Sequence, residues 1–192
     1  IHDGVDTDAL RPNPGVTMRL RDKMTLSRSD EIITFVNRNL EPYRGYHVFM
    51  RALPELMRRR PHARILIVGG DGTSYGAAPP KGQSWRNQFL DEVRDQIDLS
   101  RVHFVGRLAY GDFVQLLQLS RVHVYLTYPF VLSWSLLEAM SIECAIVGSR
   151  TAPVQEVKRL GQQSRQQVIE RFDLKRHCLP AQMRWVNKLK GG

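Results

Sequence analysis

Five short apolar runs rich in β-branched residues alternate with longer amphipathic stretches, and this alternation limits the fold more than any other feature of the chain. The runs are Glu31-Ile-Ile-Thr-Phe-Val-Asn37, Ala63-Arg-Ile-Leu-Ile-Val68, Val102-His-Phe-Val105, Val122-His-Val-Tyr-Leu126 and Cys144-Ala-Ile-Val147. Uninterrupted apolar runs of this length read as strands buried on both faces, as in parallel sheets. Between them the spacing becomes helical. Residues 46–59 direct Val48, Phe49, Ala52, Leu53, Leu56 and Met57 to one side, and Pro61 ends that helix. Residues 84–97 carry Trp85, Phe89, Val93 and Ile97 in the same manner, and a third helix runs up to Leu119. Repeated strand–helix–strand units require right-handed crossovers, hence an α/β fold with a parallel sheet and helices on both faces. Beyond Ser149 the pattern thins. Pro153 to Phe172 reads as one helix, weakened at Gly161 by about 1 kcal/mol relative to Ala, and Pro180 to Leu189 reads as a last one. Residues 1–28, with Gly4, Pro12, Pro14 and Gly15, are expected to be irregular.

In open α/β sheets, ligands sit beyond the carboxyl ends of the strands. Four loops emerge there: Arg38 to Gly45, Gly69 to Gly82, Gly106 to Gly111, and the stretch from Tyr128 to the next helix. Ser133 and Ser135 are good N-caps, and Ser135-Leu-Leu-Glu138 fits a capping box. The free N–H groups and the dipole of such a helix start suit a phosphate. Gly69-Gly-Asp-Gly72 is not a dinucleotide fingerprint, because Gly76, Pro79 and Pro80 follow where a helix would have to begin.

The charge balance, 28 Lys plus Arg against 19 Asp plus Glu, leaves +9 and favours anionic partners. The arginines are dispersed and are not interleaved with aromatics in a groove, which argues against nucleic acid. Two cysteines, Cys144 and Cys178, and six histidines show no metal-ligand spacing; His103 and His123 are expected at the core edge. Asp6-Thr-Asp8 reads as a pair of local backbone caps, not a metal site. No apolar run approaches membrane-spanning length and no signal-peptide pattern opens the chain. The expected location is the cytoplasm, with peripheral contact at the inner face of an anionic membrane as a further expectation. The chain opens on Ile1-His-Asp-Gly-Val-Asp6 without Met, so it reads as a fragment of a larger protein.

The order of these pieces resembles the C-terminal domain of a GT-B glycosyltransferase of the large retaining class called family four, or group 1. The pieces are His2-Asp-Gly-Val-Asp-Thr7, Val36-Asn-Arg38 with Arg44-Gly45, Leu66-Ile-Val-Gly-Gly70, Val102-His-Phe-Val-Gly-Arg107, and Ser135-Leu-Leu-Glu-Ala-Met140 followed by Ala145-Ile-Val-Gly-Ser149. The resemblance implies a Rossmann-like parallel sheet forming the donor half of the fold. It makes 1–192 one nucleotide-sugar-binding domain, with 1–28 as the linker from a missing N-terminal domain. It assigns Arg38 and Arg44 to the donor diphosphate, Arg44 standing where lysine is commoner. It assigns Glu138 to the ribose hydroxyls, in competition with the capping-box reading. The backbone N–H groups of Leu132, Ser133 and Trp134 would face the phosphates or sugar, and Gly106 and Arg107 would lie beside the nucleobase. Phe130 stands where the family has a second glutamate. It would pack on the sugar or nucleobase, or fill core. The family pattern also predicts that a stretch is missing between Val157 and Lys158.

The function these features imply is transfer of a sugar, with retention, from a nucleotide-diphosphate sugar to an acceptor that is a saccharide, a lipid or a small molecule. No metal or other cofactor is obligatory in that reading. The fragment alone is expected to bind nucleotide and to be inactive. Three alternatives stand beside it: a non-catalytic nucleotide-binding module on the same scaffold, a basic nucleic-acid-binding domain, and a related epimerase or phosphorylase.

Overall fold

The computed structural model describes residues 2–20, 24–129, 132–151, 154 and 164–190. A two-stranded antiparallel hairpin, β1 (Thr17–Arg19) with β2 (Thr25–Ser27), precedes a five-stranded sheet. The sheet strands are β3 (Ile32–Asn39), β4 (Arg64–Gly70), β5 (Val102–Gly106), β6 (Val122–Tyr125) and β7 (Ala145–Gly148). Every pairing among them is parallel, in the order β5-β4-β3-β6-β7. The chain thus enters at the centre, winds outward to β5, returns beside β3 as β6 and winds outward again. The reversal places a switch point between β3 and β6, where the departing loops part and leave a crevice.

The helices are α1 (Tyr46–Arg59), α2 (Trp85–Asp91), α3 (Tyr110–Leu119), α4 (Trp134–Ser141), α5 (Ser164–Phe172) and α6 (Leu179–Lys190). Alternation along β3 feeds two cores. Ile33 and Phe35 pack with Phe49, Met50 and Leu53 of α1, the rings of Phe35 and Phe49 stacking at 4.6 Å. Ile32 and Val36 face Leu116 and Leu119 of α3 and Leu26 of the hairpin. A third cluster joins Leu136, Leu137 and Met140 of α4 to Tyr125 and to Val5 and Leu10 of the N-terminal segment. Each fully buried large aliphatic or aromatic side chain contributes about 1.5–3 kcal/mol.

The parallel sheet with helices on both faces is as the alternation predicts. Several local expectations need correction. The buried face of α1 is Tyr46, Phe49, Met50, Leu53 and Met57, whereas Val48 is 51% exposed and Ala52 is also exposed. The observed face is a narrower arc than the expected one, turned toward Tyr46 and Met50, with Leu56 only partly buried against it. The helix expected over 84–97 stops at Asp91 and continues as two 3₁₀ turns, Arg94–Gln96 and Leu99–Arg101. Val93, at φ -123° and ψ -1°, leaves the helical region, and Ile97, at φ -127° and ψ 151°, is extended. Within the stretch expected to be irregular, Thr17–Arg19 and Thr25–Ser27 pair as antiparallel strands, and Val5, Leu10, Val16 and Leu26 are buried. His123, expected at the core edge, is fully buried. Asp6 behaves as a local cap, accepting from the backbone N–H of Asp8 and Ala9. Of the helix expected over 153–172, the described residues are Val154, helical and buried, and Ser164–Phe172. Gly161 and the expected break at Val157 and Lys158 lie outside the described residues.

Candidate functional site

At the carboxyl edge of the sheet, over the switch point, lies a cleft of about 550 Å³. β3 carries Arg38 to its rim, where the register against β4 shifts between Val36 and Asn39. A 3₁₀ turn, Pro42–Arg44, follows. Gly45 then takes a left-handed φ of 72° and α1 begins. That turn aims Arg44 into the same cleft, half-buried, with its guanidinium 4.9 Å from the Tyr75 ring. Arg107 enters from the loop after β5 and donates to the Asn39 amide oxygen at 3.3 Å. From the opposite wall come Ser133, Trp134, Ser135 and Glu138, at and just inside the N-terminus of α4. Arg38, Arg44 and Glu138, the three side chains on which the donor reading turns, therefore line one cleft.

Glu138 does not close a capping box. Its carboxylate, in a residue only 9% exposed, accepts a hydrogen bond from the Tyr110 hydroxyl at 2.9 Å. Burial raises its pKa above the ordinary glutamate value, and the Tyr110 bond works against that rise. Although the Tyr110 residue is 61% exposed, partial desolvation of its hydroxyl and the neighbouring Glu138 carboxylate push the phenol up to about 12. Ser133 is the N-cap residue of α4 but makes no side-chain cap bond; its hydroxyl pairs with that of Ser135 at 2.8 Å. The first N–H groups of α4 thus lack a side-chain cap, as an anion-binding helix start requires. Arg38, Arg44 and Arg107 against the single carboxylate of Glu138 leave the cleft lining with a positive charge balance.

Other expected site residues fall elsewhere. Gly106 ends β5 with φ 77° and turns the chain toward Arg107, but does not line the cleft. Leu132 packs against the α4 core, and its carbonyl accepts from His2 Nε2 at 3.4 Å. Phe130 lies outside the described residues. Residues that periodicity and motif spacing miss are Tyr110, Asn39, Glu41 and Tyr75. The one sequence signal was their position at or beyond the carboxyl ends of β3, β4 and β5. Among the described residues, no group of three or more His, Cys, Asp or Glu side chains could hold a metal ion, and no helix is long and apolar enough to cross a membrane.

The fold and cleft define a doubly wound α/β domain with an anion-suited crevice at its switch point. The family model described as glycosyl transferases group 1 matches residues 30–173, and the chain belongs to this family. It is 40% identical over 67 residues to the GDP-mannose-dependent alpha-(1-6)-phosphatidylinositol monomannoside mannosyltransferase of Mycolicibacterium smegmatis, covering 35% of this chain and 17% of that protein. It is 33% identical over 76 residues to the D-inositol 3-phosphate glycosyltransferase of Segniliparus rotundus, covering 40% of this chain and 16% of the relative. These matches therefore span about a sixth of either relative. Among solved structures, sucrose-phosphate synthase from Thermosynechococcus elongatus superposes with TM-score 0.74 at 16% identity, over 98% of this chain and 52% of the other. The C-terminal domain of a glycosyl transferase group 1 family protein from Francisella tularensis superposes with TM-score 0.61 at 16% identity, over 80% of this chain and 74% of that domain. At such identities the structural matches speak for the fold.

Proposed function

We propose that this chain is the donor-binding half of a glycosyltransferase that moves a sugar, with retention, from a nucleotide-diphosphate sugar to an acceptor. The observation that carries the reading is the convergence of Arg38, Arg44 and Glu138 on one cleft at the N-terminus of α4. Cleaving a sugar–phosphate bond develops charge on the leaving diphosphate, and cations fixed in advance stabilise that charge as it forms. Arg38 and Arg44 fill this role with forked donors, helped by the N–H groups of Ser133 and Trp134. Glu138 accepts from the ribose hydroxyls, which take the place of the Tyr110 hydroxyl. Arg107 flanks the nucleobase. The reading invokes no metal.

The names of the relatives support a sugar nucleotide donor such as GDP-mannose. They also support an acceptor bearing an inositol phosphate, soluble or carried on a lipid, so contact with a membrane face would fit. The acceptor docks against an N-terminal domain beyond this chain, with residues 1–28 leading from it. The chain by itself binds nucleotide and transfers nothing.

The test is a thermal-shift panel of nucleoside diphosphates and their sugars. A ligand at a hundred times its Kd stabilises the fold by about 2.7 kcal/mol. Arg38→Ala is expected to abolish the shift given by the best diphosphate while leaving the unliganded melting temperature nearly unchanged, since Arg38 is exposed. An unaltered shift in Arg38→Ala removes the diphosphate clamp. Salt-sensitive retention on DNA or RNA that free nucleotide does not compete away would instead favour a nucleic-acid-binding domain.

A further inference from the structure

Glu41 lies just past β3 and is fully buried. Its carboxylate faces three successive backbone N–H groups of the loop after β4. Ser74 N donates to both oxygens, at 3.2 and 3.1 Å, and Tyr75 N and Gly76 N each donate to Oε2 at 3.2 Å. A buried carboxylate is costly unless its lone pairs are filled, and here backbone dipoles fill them. Meanwhile the backbone carbonyl of Glu41 accepts from Arg44 N at 3.1 Å and Tyr46 N at 3.4 Å. One residue therefore ties the loop carrying Tyr75 to the turn carrying Arg44. Asn39 makes a second tie, donating from Nδ2 to Ser74 Oγ at 2.7 Å while its Oδ1 accepts from Arg107.

The segment held in this way ends under a cation. The Tyr75 ring lies 4.9 Å from the Arg44 guanidinium carbon and is braced by the Tyr43 ring at 5.8 Å. Tyr75 is itself 49% exposed, so its place depends on its backbone anchor more than on a core socket. A guanidinium over an aromatic face keeps its edge donors available while its plane is fixed.

Building on the donor-binding role proposed for the cleft, we infer that Glu41 is a positioning residue. It holds Ser74–Gly76 so that Tyr75 seats the Arg44 fork, and it acts on the donor diphosphate through Arg44 alone. The chain of action is Glu41 carboxylate, Tyr75 backbone, Tyr75 ring, Arg44 guanidinium.

The test is a double-mutant cycle read by calorimetric binding to the full 192-residue chain, using whichever of UDP, GDP and ADP binds wild type best. Tyr75→Leu is expected to weaken diphosphate binding about tenfold, and Tyr75→Phe to retain it, because the ring persists. In an Arg44→Ala background Tyr75→Leu is expected to cost nothing further. Glu41→Gln, which keeps the side-chain shape, should behave like Tyr75→Leu in both backgrounds. A merely structural anchor would give the same loss with or without Arg44. Equal losses in the two backgrounds, or full affinity in Tyr75→Leu, overturn the inference while leaving the donor reading in place. Wild-type chain that binds none of the three diphosphates overturns the donor reading and this inference with it.

Discussion

The imidazole of His123 is fully enclosed beneath the sheet. Its Nδ1 lies 3.0 Å from Thr34 Oγ1, which is in turn 2.8 Å from Ser120 Oγ. Its Nε2 meets no hydrogen-bond partner among the described residues. Burial alone lowers its pKa from 6.5 to about 4. The native state therefore holds it neutral where the unfolded chain would protonate it. Between those two values the unfolded state binds more protons, so stability rises with pH there. The contribution is complete above pH 6.5 and is lost as the pH falls toward 4, by roughly 3 kcal/mol in all. His123→Val is expected to flatten this stretch of the stability–pH curve. Urea unfolding at pH 7.5 and pH 5 checks it: wild type and variant losing stability equally between the two would show that His123 does not carry the dependence. The tie between Glu41 and Tyr75 belongs to the same scale, since one carboxylate and one ring decide where a guanidinium points.

At the scale of elements, the turn into α1 is the part of the cleft least tolerant of change. Gly45 has φ 72°, donates to Pro42 O at 2.8 Å and accepts from Phe49 N at 3.0 Å, so it closes the 3₁₀ turn and opens the helix. A Cβ at this position would lie 2.4 Å from Leu126 Cβ, against β6. Gly106 has a similar φ of 77° but nothing within 4 Å of a Cβ. The two glycines separate strain from clash. Gly106→Ala is expected to cost about 1–2 kcal/mol, the left-handed penalty alone. Gly45→Ala adds overpacking, for a total of about 3 kcal/mol or more, and also displaces Arg44. Chemical denaturation measures both costs, and equal values would refute the distinction. α4 shows the converse economy. Its Ser-Leu-Leu-Glu opening has the letters of a capping box, yet Glu138 turns to Tyr110 and the helix start lacks a side-chain cap, facing the cleft.

Across the whole molecule, the N-terminal segment is stitched to the C-terminal helices. Val5 N donates to Phe172 O and Leu174 N to Val5 O, both at 2.9 Å, and the Thr7 hydroxyl donates to the Asp173 carboxylate. Arg165 on α5 reaches across to Leu10 O at 2.7 Å, Ser141 O at 2.5 Å and Thr7 O at 3.1 Å, binding the N-terminal segment to the end of α4. Lys175 pairs with Asp6 at 2.8 Å, but this pair is exposed and contributes little. Arg165→Leu removes its hydrogen bonds to three carbonyls, of which Leu10 O keeps the one from Ser141 Oγ at 2.6 Å, and is expected to destabilise by about 3 kcal/mol. It should also cost Val5 and Leu10 their hydrogen-exchange protection more than β3. Protection falling uniformly over the chain would mean that Arg165 does not act through the N-terminal segment.

The five strands, their parallel pairing and the gathering of their carboxyl-end loops at one edge of the sheet were legible in the amino-acid sequence, while the choice of Arg38, Arg44 and Glu138 on those segments came from the family resemblance. Apolar period is a local property, and chirality and the switch-point rule carry it to a topology. The folded cover made by residues 2–20 and the hairpin was not legible, because Val5 and Leu10 find their partners on α3 and α4 and Leu26 on α3, well beyond any local window. Nor were the partners of the buried polar groups. Glu41 bonds 33 to 35 residues away and Glu138 meets Tyr110 across 28. A buried carboxylate takes whichever donors packing brings to it, and packing is set only when the layers close.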